Sequence, residues 1–286
     1  GGGSDQEANR GGAVYAGGAG VFTDCVISNC VGTRGGAAYQ GKYVRCVFEN
    51  NYGTAYGAAM RDASAFNCLF THNRAAIGTA TDPGAVAYPH DIVNCTIVNN
   101  ATKGIKQVTS GTGHIVNTID LNNTSVGEGI SVGPTTWLYS VTDNGNVKAS
   151  GTSCIQTTTG EFFSPASGDY RLVTGALSVG AGSLEQAGLY FAAYTNGTAL
   201  AGRPFATDGR VSAGAFQEAV DPSAYSGLMV GGDVNYGAVF VNGYEVYGTQ
   251  EYRSAKYPEI VRLAFAPKDG FGPICFSWDD NAGADW

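Results

Sequence analysis

Apolar and polar positions alternate along short stretches of this chain, and one such stretch recurs at a nearly constant distance. Its clearest copy is residues 91–100, Asp-Ile-Val-Asn-Cys-Thr-Ile-Val-Asn-Asn. An apolar marker, three positions before the last Asn, has six copies: Ile27, Phe48, Phe70, Ile97, Ile119 and Val141. The steps between copies are 21, 22, 27, 22 and 22 residues, with no helical segment long enough for a crossover. This spacing predicts a solenoid in which each strand stacks on its own next copy.

Two slots before each marker keep the alternation and are expected to face the coil interior with it. The nearer slot holds Cys25, Cys46, Cys68, Cys95, Asn117 and Tyr139, and the farther one holds Thr23, Val44, Phe66, Val93, Ile115 and Trp137. Three positions after the marker come Cys30, Asn51, Asn73, Asn100, Asn122 and Asn144. Asn tolerates left-handed backbone and stacked amides bond to one another, so a turn ladder is expected there. The predicted fold is all-β, a right-handed parallel β-helix.

A small-residue corner precedes each of the first four repeats, in the copies Gly11-Gly12-Ala13-Val14, Gly35-Gly36-Ala37-Ala38, Gly57-Ala58-Ala59-Met60 and Gly84-Ala85-Val86-Ala87. Paired with Phe48-x-x-Asn51 and Phe70-x-x-Asn73, these corners resemble the repeats of polymorphic outer-membrane proteins, a family of β-helical surface passengers. The resemblance covers roughly residues 11–145. It implies a bacterial protein, secreted or on the cell surface, with a noncatalytic, adhesin-like role.

The 22-residue periodicity ends after the repeats, and two further regions are predicted. Residues 150–218 resemble the closing segment of secreted β-helix proteins and are expected to supply final coils and a cap, with a short helix over 184–194. The first domain is therefore placed at 1–218. Residues 219–286 alternate strongly and resemble an internalin-type B repeat, a β module that serves as a spacer in surface proteins.

Composition narrows the possible partners. The net charge is −8 with no basic cluster, which argues against nucleic acid as a ligand. No apolar run is long enough to span a bilayer. The opening Gly1-Gly2-Gly3-Ser4 looks like a cleavage remnant, so an export signal is expected in the parent protein. The seven cysteines lack the paired spacing of zinc sites and are expected to be free thiols, so no metal or cofactor is predicted.

Candidate catalytic residues are few. β-Helix lyases and glycosidases carry carboxylates and basic side chains on one outer sheet face. Here the outward slots of the repeat carry charge only at Asp24, Arg45, Glu49 and Asp120. The strongest catalytic candidates are Arg61, Asp62 and His72, on nearby coils, and they keep a polysaccharide lyase or glycoside hydrolase as the alternative function. Asp279-Asp280-Asn281 fits either a calcium ligand set or a polar turn.

Tyrosines offer a binding alternative, because exposed aromatic faces stack on sugar rings. Tyr43, Tyr52 and Tyr56 cluster in the sequence, and Asp82 lies in the extra residues of the 27-residue step, where a projecting loop is expected. Tyr15 and Tyr39 follow their corner glycines at one offset and either face outward or fill the coil. A glycan or host surface is therefore the expected partner, and the edge strands of the first coil are expected to allow self-association.

Overall fold

The computed structural model describes most of the repeat region and part of the remainder. The described residues are 10–17, 20–76, 84–106, 113–123, 136–144, 147, 151–158, 160–191, 198–200, 210–217 and 219–221, together with the backbone of five strands after residue 225. The chain forms two compact units, one of Gly1–Glu161 with Arg171–Val220 and one of Phe162–Tyr170 with Asp221–Trp286. Each is described by itself.

The first unit is a parallel β-solenoid of about five turns, which confirms the predicted β-helix. Along each of the first three coils the chain passes through sheets 4, 1, 2 and 3 in turn, and the described strands of the later coils belong to fewer of these sheets. Sheet 1 consists of Val21–Thr23, Lys42–Val44, Ser64–Phe66, Asp91–Val93, His114–Val116 and Thr136–Leu138. Sheet 2 consists of Val26–Ser28, Val47–Glu49, Leu69–Thr71, Thr96–Val98, Ile119–Leu121, Val141–Thr142 and Ile155–Gln156. Sheet 3 consists of Val31–Arg34, Tyr52–Tyr56 and Arg74–Ala75, and sheet 4 of Val14–Tyr15, Ala38–Tyr39, Met60–Arg61, Gly84–Ala87 and Lys103–Lys106.

Single left-handed residues form the corners between sheets. Between sheets 1 and 2 the positive φ belongs to Asp24, Arg45, Asn67, Asn94, Asn117 and Tyr139, and between sheets 2 and 3 to Asn29, Asn50, His72, Asn99 and Asn122. Asn and Asp adopt this conformation more readily than other non-glycine residues. Arg45, a residue with no such preference, donates to both carboxylate oxygens of Asp24 on the coil before, at 2.7 and 2.8 Å.

The corner residue shifts the alternation of inward side chains. Tyr43 and Cys46 both lie in the interior, three residues apart, because Arg45 between them is left-handed. The inward row of sheet 1 is therefore Phe22, Tyr43, Ala65, Ile92, Ile115 and Trp137. The predicted inward positions Thr23, Val44, Phe66 and Val93 were wrong, because strict alternation does not continue through a left-handed corner.

The predicted cysteine column is confirmed for its four thiols and corrected above them. Cys46, Cys68 and Cys95 are fully buried, and Cys25 packs against the same core. The column continues with Thr118 and Ser140, since the Cys95 amide donates to Thr118 Oγ1 and the Thr118 amide to Ser140 Oγ. Asn117 and Tyr139, predicted for this column, instead occupy the left-handed corner.

In sheet 2 as well, the observed register slips by one residue from the predicted one at the fifth coil. Phe48 pairs with Phe70 and Phe70 with Ile97, as predicted, but Ile97 pairs with Asp120. Asp120, expected to face outward, is buried, and Ile119 pairs with Thr96 on the outer face. A glycine at position 214 lies directly on this outer pair, because a Cβ there would come within 2.8 Å of both Ile119 Cδ1 and Thr96 Oγ1. The slip thus buries Ile119 under another segment of the chain.

Asparagine side chains form the predicted amide ladder at the corner after sheet 2. Asn73 Nδ2 donates to Asn100 Oδ1 and to the Phe48 carbonyl, each at 2.9 Å. The ladder comprises Asn51, Asn73, Asn100 and Asn123, so Asn122 was predicted one position too early. The ladder residues themselves are not the left-handed ones; the residue before each of them is.

The segment after the coils folds back along the outside of sheets 1 and 2. The α-helix Leu184–Phe191 covers the outer face of sheet 1, where Ala187 and Tyr190 pack with Val44, Phe66, Val93 and Val116. Residues 213–215 lie on sheet 2, and the Ala215 amide donates to Thr96 Oγ1 at 3.0 Å. Residues 151–158 continue the coils, as predicted. Helix Leu184–Phe191 and residues 213–215, predicted as part of an end cap, thus form a lateral cover.

Shorter elements complete the chain. Asp169–Val173 pairs in parallel with Ala219–Val220, and Gly182–Ser183 pairs antiparallel with Arg210–Val211. The second unit holds Phe162–Ser164, the 3-10 helix Pro165–Ser167, and strands Ser226–Gly231, Gly237–Val241, Tyr244–Val246, Thr249–Ser254 and Leu263–Pro267. These five late strands pair antiparallel in one two-stranded and one three-stranded sheet. The predicted domain boundary after residue 218 stays a prediction.

Candidate ligand-binding surface

Arginines and tyrosines collect on the outer face of sheet 4 and its two flanking corners. This arginine–tyrosine strip comprises Arg10, Tyr15, Arg34, Tyr39, Tyr56, Arg61 and Tyr88. Ladder pairing holds its members in register: Tyr15 pairs with Tyr39 and Tyr39 with Arg61, while Arg10 pairs with Arg34 and Arg34 with Tyr56. The strip is therefore fixed by backbone bonds between coils.

The face is outward because the alternate residues of sheet 4 fill the interior. Ala38, Met60 and Val86 are fully buried in the core. Left-handed glycines set the corner before this sheet, and at Gly35 a Cβ would come within 1.9 Å of the Ala38 carbonyl oxygen. Only glycine fits there. The residue just before each such glycine, Arg10, Arg34 or Tyr56, is thereby placed beside sheet 4.

Arg61 lies between two tyrosine rings. Its guanidinium carbon is 4.3 Å from the ring centroid of Tyr56 and 4.4 Å from that of Tyr88. Both distances are well inside the range of a cation–π contact, and two rings at once desolvate the guanidinium, whose side chain is only 14% exposed. Asp62 Oδ2 lies 3.4 Å from Arg61 Nε. The pair meets the distance for an ion pair but not the geometry of a hydrogen bond.

Arg10 makes a looser version of the same contact. Its guanidinium carbon is 5.9 Å from the Tyr15 ring and 5.6 Å from the Tyr39 ring, and those two rings are 5.4 Å apart. Tyr15 is 57% exposed whereas Tyr39 is buried by its neighbours. Tyr15 therefore faces outward, which resolves the two alternatives left open for it.

The predicted catalytic residues separate into a pair and a remote member. Arg61 and Asp62 are adjacent, whereas His72 occupies the corner after sheet 2, with the strands of sheets 1 and 2 between it and Asp62 along the coil. His72 Nδ1 lies 3.0 Å from Thr71 Oγ1. Burial lowers the pKa of His72, so its imidazole is the neutral form near pH 7.

The predicted ligand-binding tyrosines have three different locations. Tyr43 is a correction, because its ring is fully buried, is stacked at 5.2 Å on Phe22, and presents no face to solvent. Its hydroxyl donates to the Gln40 carbonyl. Tyr52 lies in sheet 3 under Arg74, at 5.1 Å, and Tyr56 belongs to the strip. Asp82 lies outside the described residues, as does the Asp279-Asp280-Asn281 segment.

A second polar group lies on sheet 1. His114 Nδ1 is 2.9 Å from Asp91 Oδ1 on the neighbouring coil, and the imidazole stacks on Tyr190 of the covering helix at 4.1 Å. The Ser64 hydroxyl accepts a bond from the Asp91 amide. Since Asp91 stands between Ser64 and His114 in the ladder, this order is not that of a hydrolase triad, in which His contacts the Ser.

Metal-ligating side chains are dispersed in the described part of the chain. No group of three or more His, Cys, Asp and Glu side chains there could hold a metal ion. Nor does any helix in those residues have the length and apolar character needed to cross a bilayer.

Comparison with known proteins gives no match, either to a protein-family model or to a curated protein. The resemblances drawn above thus depend on the sequence motifs alone, both those of the repeats and those of the two later regions.

Sequence reasoning missed Arg10, Arg34 and Tyr88 as partners in the strip. A signal for two of them is present, since Arg-Gly-Gly occurs at Arg10 and again at Arg34, one coil apart. No repeated motif in the sequence marks Tyr88. It contacts Arg61 from the next coil, and the 27-residue step between these two coils hides the correspondence.

Proposed function

We propose that this protein is a noncatalytic, adhesin-like binding protein, secreted or held on the bacterial cell surface, whose solenoid presents the arginine–tyrosine strip to a glycan. The observation that carries the proposal is Arg61 between the rings of Tyr56 and Tyr88. It is a planar donor group flanked by aromatic rings on a rigid sheet.

The residue types favour binding over proton transfer. Tyrosine rings supply flat apolar faces with a polar tip, which suits the mixed faces of sugar rings. A guanidinium group donates hydrogen bonds but is never deprotonated in proteins, so it cannot serve as a general base. A surface made mainly of these two groups is suited to hold a polar ring.

Rigidity adds to this argument. Tyr39 and Arg61 are ladder partners, and the amides of neighbouring residues donate across the coils, as from Gln40 to the Arg61 carbonyl at 2.9 Å. A surface already ordered loses little conformational entropy when a ligand binds. Long repetitive surfaces of this kind are the usual binding faces of solenoid proteins.

A glycan-array screen of the full chain, followed by titration of the best ligand, tests the proposal. Y56A is expected to weaken binding by about tenfold, as one stacking face is lost, whereas Y56F keeps the ring and most of the affinity. Thermal melts check that both variants fold. Uniform lack of binding over neutral and acidic glycans would refute the proposal.

The alternative function, a polysaccharide lyase or glycoside hydrolase, draws its support from Asp91 and His114. A carboxylate at 2.9 Å orients an imidazole as in general acid–base catalysis. Incubation with acidic and neutral polysaccharides, followed by measurement of chain length, separates the two functions. Turnover that is abolished in H114Q, R61A or H72A would establish the enzyme.

A further inference from the structure

We infer that the strip binds a linear acidic polysaccharide, with Arg61 as the main anchor for a carboxylate of the polymer. This inference rests on the proposed function and adds the chemical class of the ligand. Two buried nitrogen atoms of Arg61 support it.

Arg61 Nε and Nη1 are buried and have no hydrogen-bond acceptor among the described residues. Buried polar groups in native proteins are almost always paired, and an exception calls for an explanation such as an absent ion or ligand. The nearby Asp62 carboxylate balances part of the charge from 3.4 Å without making the bond. A carboxylate in the plane of the guanidinium would pair with one of these two nitrogens together with Nη2.

The two rings decide from which direction that acceptor comes. Tyr56 and Tyr88 contact the guanidinium at 4.3 and 4.4 Å, so a ligand acceptor has to approach Arg61 past these two rings. A carboxylate is planar and matches the parallel N–H groups of arginine edge to edge. The aromatic surroundings exclude water, which strengthens a charged hydrogen bond. Because Nε and Nη1 are buried, ligand binding requires one of the rings to move.

Arginines recur along the axis, which points to a repeating ligand. Arg10 and Arg34 are ladder partners on successive coils, and Arg61 follows on the next coil. Successive coils are about 4.8 Å apart. A polymer that carries one carboxylate per sugar and runs parallel to the axis can meet several of these groups in turn. The chain as a whole carries −8, which opposes an acidic polymer at long range, so the arginines of the strip must supply the attraction by direct contact.

The test compares two polymers with one backbone, polygalacturonate and its fully methyl-esterified form, titrated against the full chain by calorimetry. Polygalacturonate is expected to bind at least about tenfold more tightly, and its affinity is expected to fall as salt rises. R61Q should remove most of that preference. R74Q is the matched control, because Arg74 is also stacked on a tyrosine, at 5.1 Å, but in sheet 3.

The outcomes separate the two levels of the proposal. Equal binding of both polymers, unaffected by R61Q, would overturn the acidic ligand and leave glycan binding intact. Lack of binding to either polymer, to hyaluronan and to the glycan array would overturn both. Equal loss in R61Q and R74Q would show a general charge effect and overturn Arg61 as anchor.

If R61Q does not fold, the polymer comparison and its salt dependence on the wild-type chain still decide the acidic class. Equally tight, salt-dependent binding of double-stranded DNA would replace the polysaccharide with a different polyanion.

Discussion

Asp120 pairs with Ile97 in sheet 2 and so places a carboxyl group inside the coil. Asn123 Nδ2 donates to Asp120 Oδ1 at 2.7 Å, and the Ile105 amide also donates to this carboxyl group. Oδ2 is buried with no hydrogen-bond partner among the described residues. Burial, with the nearby Asp143 carboxylate, raises the pKa of Asp120 to about 7.

The raised pKa of Asp120 predicts that the protein loses stability as pH rises. Between about pH 4 and pH 7 the folded state binds a proton that the unfolded state has released, so the free energy of unfolding falls with pH over that window. The full effect is on the order of 4 kcal/mol. Burial raises the pKa of Asp143 as well, which acts in the same direction. Urea unfolding at several pH values measures the slope.

D120N removes the titrating group and is expected to flatten the slope between pH 4 and pH 8. D24N is the control of opposite sign, since Arg45 lowers the pKa of Asp24 and its small contribution is lost as pH falls. A D120N variant with the wild-type slope would place the responsible group elsewhere.

The asparagine ladder is predicted to be a main source of stability in the coils. N73A removes the bonds that Asn73 donates to Phe48 and Asn100, and those that it accepts from the Asn51 amide and side chain. Buried groups on both neighbouring coils then lack partners, so the expected loss is about 3 to 5 kcal/mol of unfolding free energy.

The exposed, left-handed Asn50 provides the comparison for this variant. N50G keeps the backbone conformation and is expected to change stability by less than about 1 kcal/mol. Chemical denaturation of both variants tests the difference. Similar losses in the two would mean that the corner conformation, and not the amide ladder, stabilises the turn.

Local pattern placed the cysteine column and the asparagine ladder of the first four coils because those residues are chemically distinct, although it chose the wrong residues of sheet 1 as inward. A cysteine or asparagine in the same slot of each copy identifies the interior column, and Cys46, Cys68 and Asn73 lie where the period placed them. The period failed at the fifth coil, where Ile119 is as apolar as the earlier markers. Its burial depends on Gly214, about a hundred residues away, which no local pattern can reveal.

The candidate ligand-binding surface was less predictable than the fold. Tyr43 and Tyr56 look alike in sequence, yet one fills the coil and the other flanks Arg61. The difference lies in where each stands relative to a corner: Tyr43 lies two positions before the left-handed Arg45, and Tyr56 directly before the left-handed Gly57. Orientation at corners is set by backbone conformation, which alternation alone does not report.

Thiol reactivity is predicted to follow depth in the cysteine column. Cys46, Cys68 and Cys95 are fully buried, and burial raises the pKa of Cys68 well above its usual range, so little thiolate forms. Cys25 and Cys30 are partly exposed and should react first. Labelling with a maleimide before and after denaturation, read by peptide mass spectrometry, checks the order.

Replacing a buried cysteine is expected to lower the free energy of unfolding more than replacing a partly exposed one. C68S leaves a hydroxyl in the apolar interior, at an expected loss of roughly 1 to 3 kcal/mol, and C30S should lose less. Rapid labelling of Cys46, Cys68 and Cys95 in the native protein would contradict the inward column and the register built on it.

The first coil is predicted to associate with a second copy of the chain. Its strands lie at one edge of each of sheets 1 to 4, the four parallel sheets of the solenoid as described. Three valines on it are exposed, Val21 at 53%, Val26 at 70% and Val31 at 61%. Edge strands with exposed apolar side chains promote pairing unless charge or cover blocks them.

Sedimentation equilibrium should therefore show association that increases with concentration, and V26K should weaken it by placing a charge on the edge. L189K, at an equally exposed leucine on the covering helix, is expected to leave association unchanged. A monomer at all concentrations, or equal effects of V26K and L189K, would mean that this edge does not pair.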